Sequence, residues 1–315
     1  MKKIQTRKNF VVMGVLCLGL MFSSSEGFSW GFATHAYMDD HLGKKGTRNN
    51  LNEIYGGVMP DLFNTLFEYP EYLDFLPDQT HLRSMKVWKT SRGGVEKSLA
   101  FGFVSHNDRW GADFTAHHAC QTCGEPVGYA YAKANVLLSE APLPEELGIP
   151  DEIAIEIFHE IVENAVDILV KRTEPLIGDR LSSAAQQRSP RFPQLLVRAY
   201  AKRFASFAGI TELEAAQFIQ AAESDFREAI SSYGEILSQD EETAIGLISE
   251  QTANLAQVFL ALYGITLPID QEDMVGMIIS YMGLAMESCQ ADYLEEIEAT
   301  IPYVKHKLRI HGVTY

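Results

Sequence analysis

DEIAIEIFHEIVENAVDILVKR, residues 151–172, decides the fold class. Ile157, Ile161, Ala165 and Leu169 recur at four-residue steps, with Phe158, Val162 and Val166 beside them, which is the period of a helix and not the alternation of a strand. The same pattern returns in residues 194–209 (QLLVRAYAKRFASFAG), 211–239 (TELEAAQFIQAAESDFREAISSYGEILSQ) and 241–264 (EETAIGLISEQTANLAQVFLALYG). Thr211 with Glu214 three residues on is the signature of a capped helix start. Alternating β-branched runs joined by Asn-Gly or Asp-Gly turns are missing. The expected fold is all-α, a multi-helix bundle. Upstream, Gly56, Gly57, Pro60, Pro70, Pro77, Gly93 and Gly94 predict loops lying over that bundle. Residues 139–151 (SEAPLPEELGIPD) read as a linker between halves that pack as one domain.

The chain opens with Lys2, Lys3, Arg7 and Lys8, followed by an uncharged run of 13 residues, 10–22. That has the shape of a signal peptide, and it is short for a membrane span, which needs roughly 20 apolar residues. Gly27 and Ser29 are the small residues expected at positions −3 and −1 of a cleavage site, so Trp30 would become the mature N-terminus. Leu16 before Cys17 argues against a lipoprotein anchor. The expected arrangement is a signal peptide, 1–29, followed by one exported domain, 30–315, secreted or periplasmic.

The full chain carries a net charge of −16, and loss of residues 1–29 would take it to −19. Affinity for nucleic acid comes chiefly from basic residues that neutralise phosphates, so general polyanion binding is not expected. Of the cysteines after residue 29, Cys120 and Cys123 form a CxxC that suits a disulfide, a metal clip or a redox pair. Cys289 stands alone, and a structural role is expected for all three.

The histidines carry the chemistry. Seven of the nine lie between residues 35 and 159. In HEIVE, residues 159–163, His159 and Glu163 stand one helical turn apart, a spacing that suits metal ligands and also an ordinary surface pair. In residues 105–119 (SHNDRWGADFTAHHA), His106, Asp113 and His117 would share one stripe of a regular helix, against which Asn107 and Gly111 speak, with His118 a rival to His117 and Asp108 a rival to Asp113. Asp61, after Pro60, and His81 add oxygen and nitrogen donors of the kind zinc takes.

The order of Trp30, His35, Asp61, His81, His106, Asp113, His117, His159 and Glu163 resembles the zinc-dependent phospholipase C family, which includes bacterial phosphatidylcholine-hydrolysing enzymes and clostridial alpha-toxin. The resemblance covers Trp30 to about Asp167. It implies three zinc ions enclosed by the helices. The amino and carbonyl groups of Trp30 would share one ion with His35, and Asp113 would bridge it to a second held by Asp61, His81 and His106. His117, His159 and Glu163 would hold the third. It further implies a phosphodiesterase that splits phospholipids into diacylglycerol and a phosphorylated head group by attack of zinc-bound hydroxide, with Asp61 orienting or deprotonating the water. Phospholipid or another phosphodiester is the implied substrate, and transient contact with a membrane surface is compatible with it. The family's HxxxD is HxxxW here, with Asp113 three residues beyond Trp110. Residues that would recognise choline are not evident, since Leu62 follows Asp61. The single-strand nucleases use a related centre with HxxxD where this chain has HxxxE, and a non-catalytic zinc-binding protein is the third reading.

Overall fold

Fourteen α-helices and three short 3-10 turns are the regular elements of the residues described by the computed structural model, 30–64, 66–124 and 126–315. The signal-peptide reading of residues 1–29, and the cleavage that would free the amino group of Trp30, lie outside them. The helices are α1 (Phe32–Leu42), α2 (Arg48–Val58), α3 (Phe75–His81), α4 (Met85–Thr90), α5 (Gly93–His106), α6 (Ala112–His117), α7 (Tyr129–Glu140), α8 (Asp151–Thr173), α9 (Ile177–Gln187), α10 (Phe192–Ala208), α11 (Glu212–Leu237), α12 (Glu241–Leu262), α13 (Gln271–Cys289) and α14 (Tyr293–Ile310). The all-α expectation holds for the described residues.

Helix α8 is the axis of the arrangement. It packs against α1, α7, α12 and α13, and from Ile157 to Val170 every residue except Glu160 is buried. A helix covered on all sides has no solvent face for its polar residues, so His159, Glu163, Asn164 and Asp167 point into the protein. Around it, α9 and α10 pack on α11, and α12 packs on α13. The capping box at Thr211 forms as expected, with Thr211 Oγ1 accepting from the Glu214 amide and the Glu214 side chain accepting from the Thr211 amide. Residues 141–150 contain one 3-10 turn, Glu145–Leu147, and connect α7 to α8, which lie against each other.

The loops expected over the bundle are a point of correction. Most of the glycines and prolines that suggested them sit within or at the start of helical turns. Gly56 and Gly57 are inside α2, Pro77 is inside α3, Gly93 and Gly94 begin α5, and Pro60 is in the 3-10 turn Met59–Phe63. For the glycines of α2 the physical reason is close approach. A Cβ at Gly56 would lie 2.1 Å from the Leu99 carbonyl, and one at Gly102 would lie 1.9 Å from the Glu53 carbonyl. Glycine here lets α2 and α5 touch backbone to backbone, at a local propensity cost of roughly 1 kcal/mol per residue.

Candidate metal centre

Helix α1 brings His35 into the interior, and its start is held by α8. Gly31 precedes α1 and offers no side-chain cap. Asp167 supplies it from outside, accepting from the amides of Ala33 and Thr34 at 2.8 Å each and from Thr34 Oγ1 at 2.7 Å. A carboxylate at a helix N-terminus meets unpaired N–H groups and the positive end of the dipole. Tyr233 OH also donates to Asp167, at 2.9 Å. His159, Glu163 and Asp167 stand at successive turns of one face of α8, so the helix that presents two candidate ligands also fixes the position of a third on α1.

The regular helix that would have aligned His106, Asp113 and His117 is broken at Asn107 and Gly111, the residues that weakened it in the sequence. Helix α5 ends at His106 and α6 begins at Ala112. Asn107 leaves the helical conformation, and its Oδ1 accepts from the amides of Arg109 and Trp110 at 3.0 and 3.2 Å, closing a side-chain turn. Gly111 passes where a Cβ would lie 2.3–2.5 Å from the carbonyls of residues 105–107. The chain therefore doubles back, and Asp113 comes beside His106 through this corner.

Around Asp113 the first group assembles. Its Oδ1 lies 3.2 Å from His35 Nε2, while its Oδ2 lies 2.7 Å from His106 Nε2 and 3.5 Å from His81 Nε2. Asp61 Oδ1 is 3.1 Å from His81 Nε2 and 3.5 Å from His106 Nε2. The far nitrogens of two rings are committed elsewhere: His106 Nδ1 donates to the Gly57 carbonyl at 2.7 Å and His81 Nδ1 to the Pro77 carbonyl at 3.0 Å. A carbonyl can only accept, so Nδ1 carries the proton and Nε2 keeps a lone pair facing the centre in the neutral ring.

The second group lies on α6 and α8. His159 Nε2 is 2.8 Å and His117 Nε2 3.8 Å from Glu163 Oε1, and the Tyr131 ring stacks on His159 with centroids 4.4 Å apart. His117 and Asp113 are the residues the structure brings into these two groups. Their rivals take another place: Asp108 Oδ1 meets His117 Nδ1 at 3.1 Å, and Asp108 Oδ2 meets His118 Nε2 at 2.9 Å. Asp108 thus stands behind His117, turning its Nε2 toward Glu163. Asp108→Asn is expected to weaken metal binding at this group roughly tenfold, as loss of a carboxylate behind a ligating histidine does, while leaving the group around Asp113 filled; competition with a graded chelator reads both.

Trp30 is buried beside these groups. Its indole Nε1 donates to Thr115 Oγ1 at 3.0 Å and its ring stacks on Tyr129. A cavity of about 220 Å³ is lined by Trp30, by Asp61 of the first group and by Glu163 of the second, with Glu160, Asn164 and Tyr233 alongside. Among its described lining residues there is no lysine or arginine. Glu160, in the cavity lining, and Asp167, at the start of α1, contribute without being among the residues expected from the sequence. The signal for Asp167 was its place one turn beyond Glu163, and Glu160 lies within HEIVE itself.

The charges confirm how crowded the interior is. Burial disfavours the Asp113 anion, but His106 and His35 outweigh it and hold the carboxyl well below its ordinary range. Burial likewise works against ionisation of Asp61, and His106 and His81 bring it down to about 2. Burial and the nearby His117 push His159 down to about 3, whereas burial and Glu163 push Glu160 up to about 8.

The donor set fits metal ions. His106 Nε2, both Asp113 oxygens, His117 Nε2, both nitrogens of His159 and Glu163 Oε1 are buried, and none has a partner in hydrogen-bonding geometry despite the short separations. Buried polar atoms at such density are costly unless something shared satisfies them. His35, His106 and Asp113 could hold one ion, Asp61, His81 and His106 another, and His117, His159 and Glu163 a third.

The CxxC pair is a disulfide, Cys120–Cys123, and Cys289 is a buried thiol. The disulfide loop follows α6 directly and is tied to α14 by Glu296, which accepts from the amides of Gln121 and Thr122 at 2.8 Å each. Comparison with protein-family models, with curated proteins and with solved structures gave no match.

Proposed function

We propose that this chain is a zinc-dependent phosphodiesterase of the phospholipase C type, active on phospholipids after export. The observation that carries the reading is Asp113, whose two oxygens face two different sets of histidines beside a cavity that both groups help to line. Imidazole and carboxylate donors without cysteine are the set zinc takes in hydrolytic sites. His35, Asp61, His81, His106 and Asp113 would hold two ions, and His117, His159 and Glu163 the third, with Trp30 contributing if its amino group is free. Zinc at these positions supplies a Lewis acid for phosphate oxygens and a water acidified for attack near neutral pH.

The chain's own residues do the rest. Asp61 faces both the first group and the cavity, which suits it to orient an attacking water and accept its proton. Phe226, Ile248 and Leu255 make part of the cavity wall apolar, which favours the glycerol and acyl portions of a lipid. The lack of cationic residues among the described lining residues and the acidic chain count against nucleic acid. Products would be diacylglycerol and a phosphorylated head group.

Purified protein beginning at Trp30 is expected to contain about three zinc ions, by analogy of its three donor groups, and to hydrolyse p-nitrophenyl phosphocholine and phosphatidylcholine until a chelator is added. Digestion of single-stranded DNA in place of lipid would replace this reading with a nuclease. Bound zinc without turnover of any phosphodiester would make it a zinc-binding protein without catalysis.

A further inference from the structure

Helix α12 has an uncovered apolar side that runs out of the cavity. Leu247, Gln251, Leu255, Val258 and Leu262 follow one another at steps of three and four residues, so they share one stripe of the helix. Gln251 and Leu255, with Ile248, line the cavity that Asp61 and Glu163 also line. Leu247, Val258 and Leu262 are 38 %, 45 % and 44 % exposed, and Tyr263, 50 % exposed, ends the stripe at the turn after the helix. One edge of the stripe therefore belongs to the site and the other faces solvent.

Charge sets this segment apart. Residues 251–269 contain no Asp, Glu, Lys or Arg, 19 residues where the chain's average of 22 % would place about four. On a chain of net charge −16, an uncharged surface of this kind meets little electrostatic penalty against a phospholipid layer. Tyrosine at the end of an apolar stripe suits a membrane–water boundary, where its ring is buried and its hydroxyl wet.

The geometry points to the Leu247–Leu255–Val258–Leu262 face of α12 as a docking surface for a zwitterionic phospholipid layer, holding the cavity mouth against the lipid. This rests on the phosphodiesterase reading and specifies its substrate as aggregated lipid. A protein partner seated there would cover the cavity rim, whereas a lipid surface presents head groups to it. Attachment would be shallow, since no helix among the described residues is long and apolar enough to cross a membrane.

The test is flotation of the full chain with phosphatidylcholine vesicles, alongside hydrolysis of soluble p-nitrophenyl phosphocholine. Wild type is expected to float with the vesicles. A triple variant, Leu247→Ser, Val258→Ser and Leu262→Ser, is expected to need at least roughly tenfold more lipid for equal binding, as three exposed apolar side chains no longer leave water, with soluble turnover unchanged. Val258→Trp guards against misfolding of that variant: its emission should shift to the blue when vesicles are added. Absence of wild-type flotation, equal binding by the triple variant, or a wild-type dimer that the triple variant dissolves would overturn the docking face. Soluble turnover without flotation removes the docking face alone, and flotation lost in the triple variant without any turnover supports docking and removes the hydrolase reading.

Discussion

Replacing Asp113 by Ala is expected to empty two metal positions with one substitution. The carboxylate is fully buried, and its oxygens lie 3.2 Å from His35 Nε2 and 2.7 Å from His106 Nε2. Removing it leaves the His35 position with no anionic donor and the His81–His106 position with Asp61 alone to offset two positive charges. Metal content should fall from about three ions to about one per chain, the survivor being the ion of His117, His159 and Glu163, which Asp113 does not join. Phosphodiester turnover should fall by roughly 10³ or more, equivalent to about 4 kcal/mol of transition-state stabilisation. Elemental analysis of the dialysed variant, read beside a rate assay, checks both. Loss of a single ion would mean that Asp113 is a terminal ligand of one position and that the two sets are filled independently.

The second large effect concerns a residue that touches no candidate ligand side chain. Asp167→Ala removes the acceptor for Ala33 N, Thr34 N, Thr34 Oγ1 and Tyr233 OH, and all four donors remain inside. Stranding donors of this kind in a buried site should cost on the order of 3–5 kcal/mol. A loss of that size should lower Tm by roughly 10 °C in a chain of this length. Because Asp167 fixes the first turn of α1, metal affinity at His35 should weaken as well, a result that separates this cap from a merely stabilising contact. Gly31→Ala offers a second approach to the same point, since its Cβ would lie 2.5 Å from the Asp167 carboxyl.

Asp167 also gives a pH signature. Burial outweighs its four donors and pushes its carboxyl from the ordinary 3.8 up to about 6. In the window between those values the folded chain holds a proton that the unfolded chain has released. The stability contributed by this group is therefore full below about pH 4 and falls by about 3 kcal/mol as pH rises through 6. Asp167→Asn abolishes that slope. Urea titrations of wild type and Asp167→Asn at pH 4.5 and 7 read it, together with the smaller change in Glu160, whose carboxyl the Asp167 charge helps to raise.

Much of the site was legible as residue types at helical spacing. His159 and Glu163 share a face because any uninterrupted helix through HEIVE puts them there, and the structure brings them within 2.8 Å. His106 and Asp113 were legible as residues but not as a geometry. Asn107 and Gly111 spoke against an unbroken helix there, but only the structure shows that the side-chain turn at Asn107 makes a corner that brings Asp113 into contact with His106. Gly56 was misread in the opposite sense. Glycine also serves where two helices cross closely, and here α2 and α5 cross at backbone distance.

Periodicity alone determined the all-α class, since the spacing of apolar residues is a property of each segment and needs no knowledge of its neighbours. The donor inventory was likewise local: histidines and carboxylates in number, without a requirement for cysteine. Choosing among them was a tertiary decision. His117 rather than His118 faces Glu163, Asp108 stands behind His117 instead of beside His106, and Asp167 caps a helix more than 130 residues earlier in the chain. These outcomes depend on which helix ends meet around α8, and that is set by burial and close packing between segments remote in sequence, which no local pattern encodes.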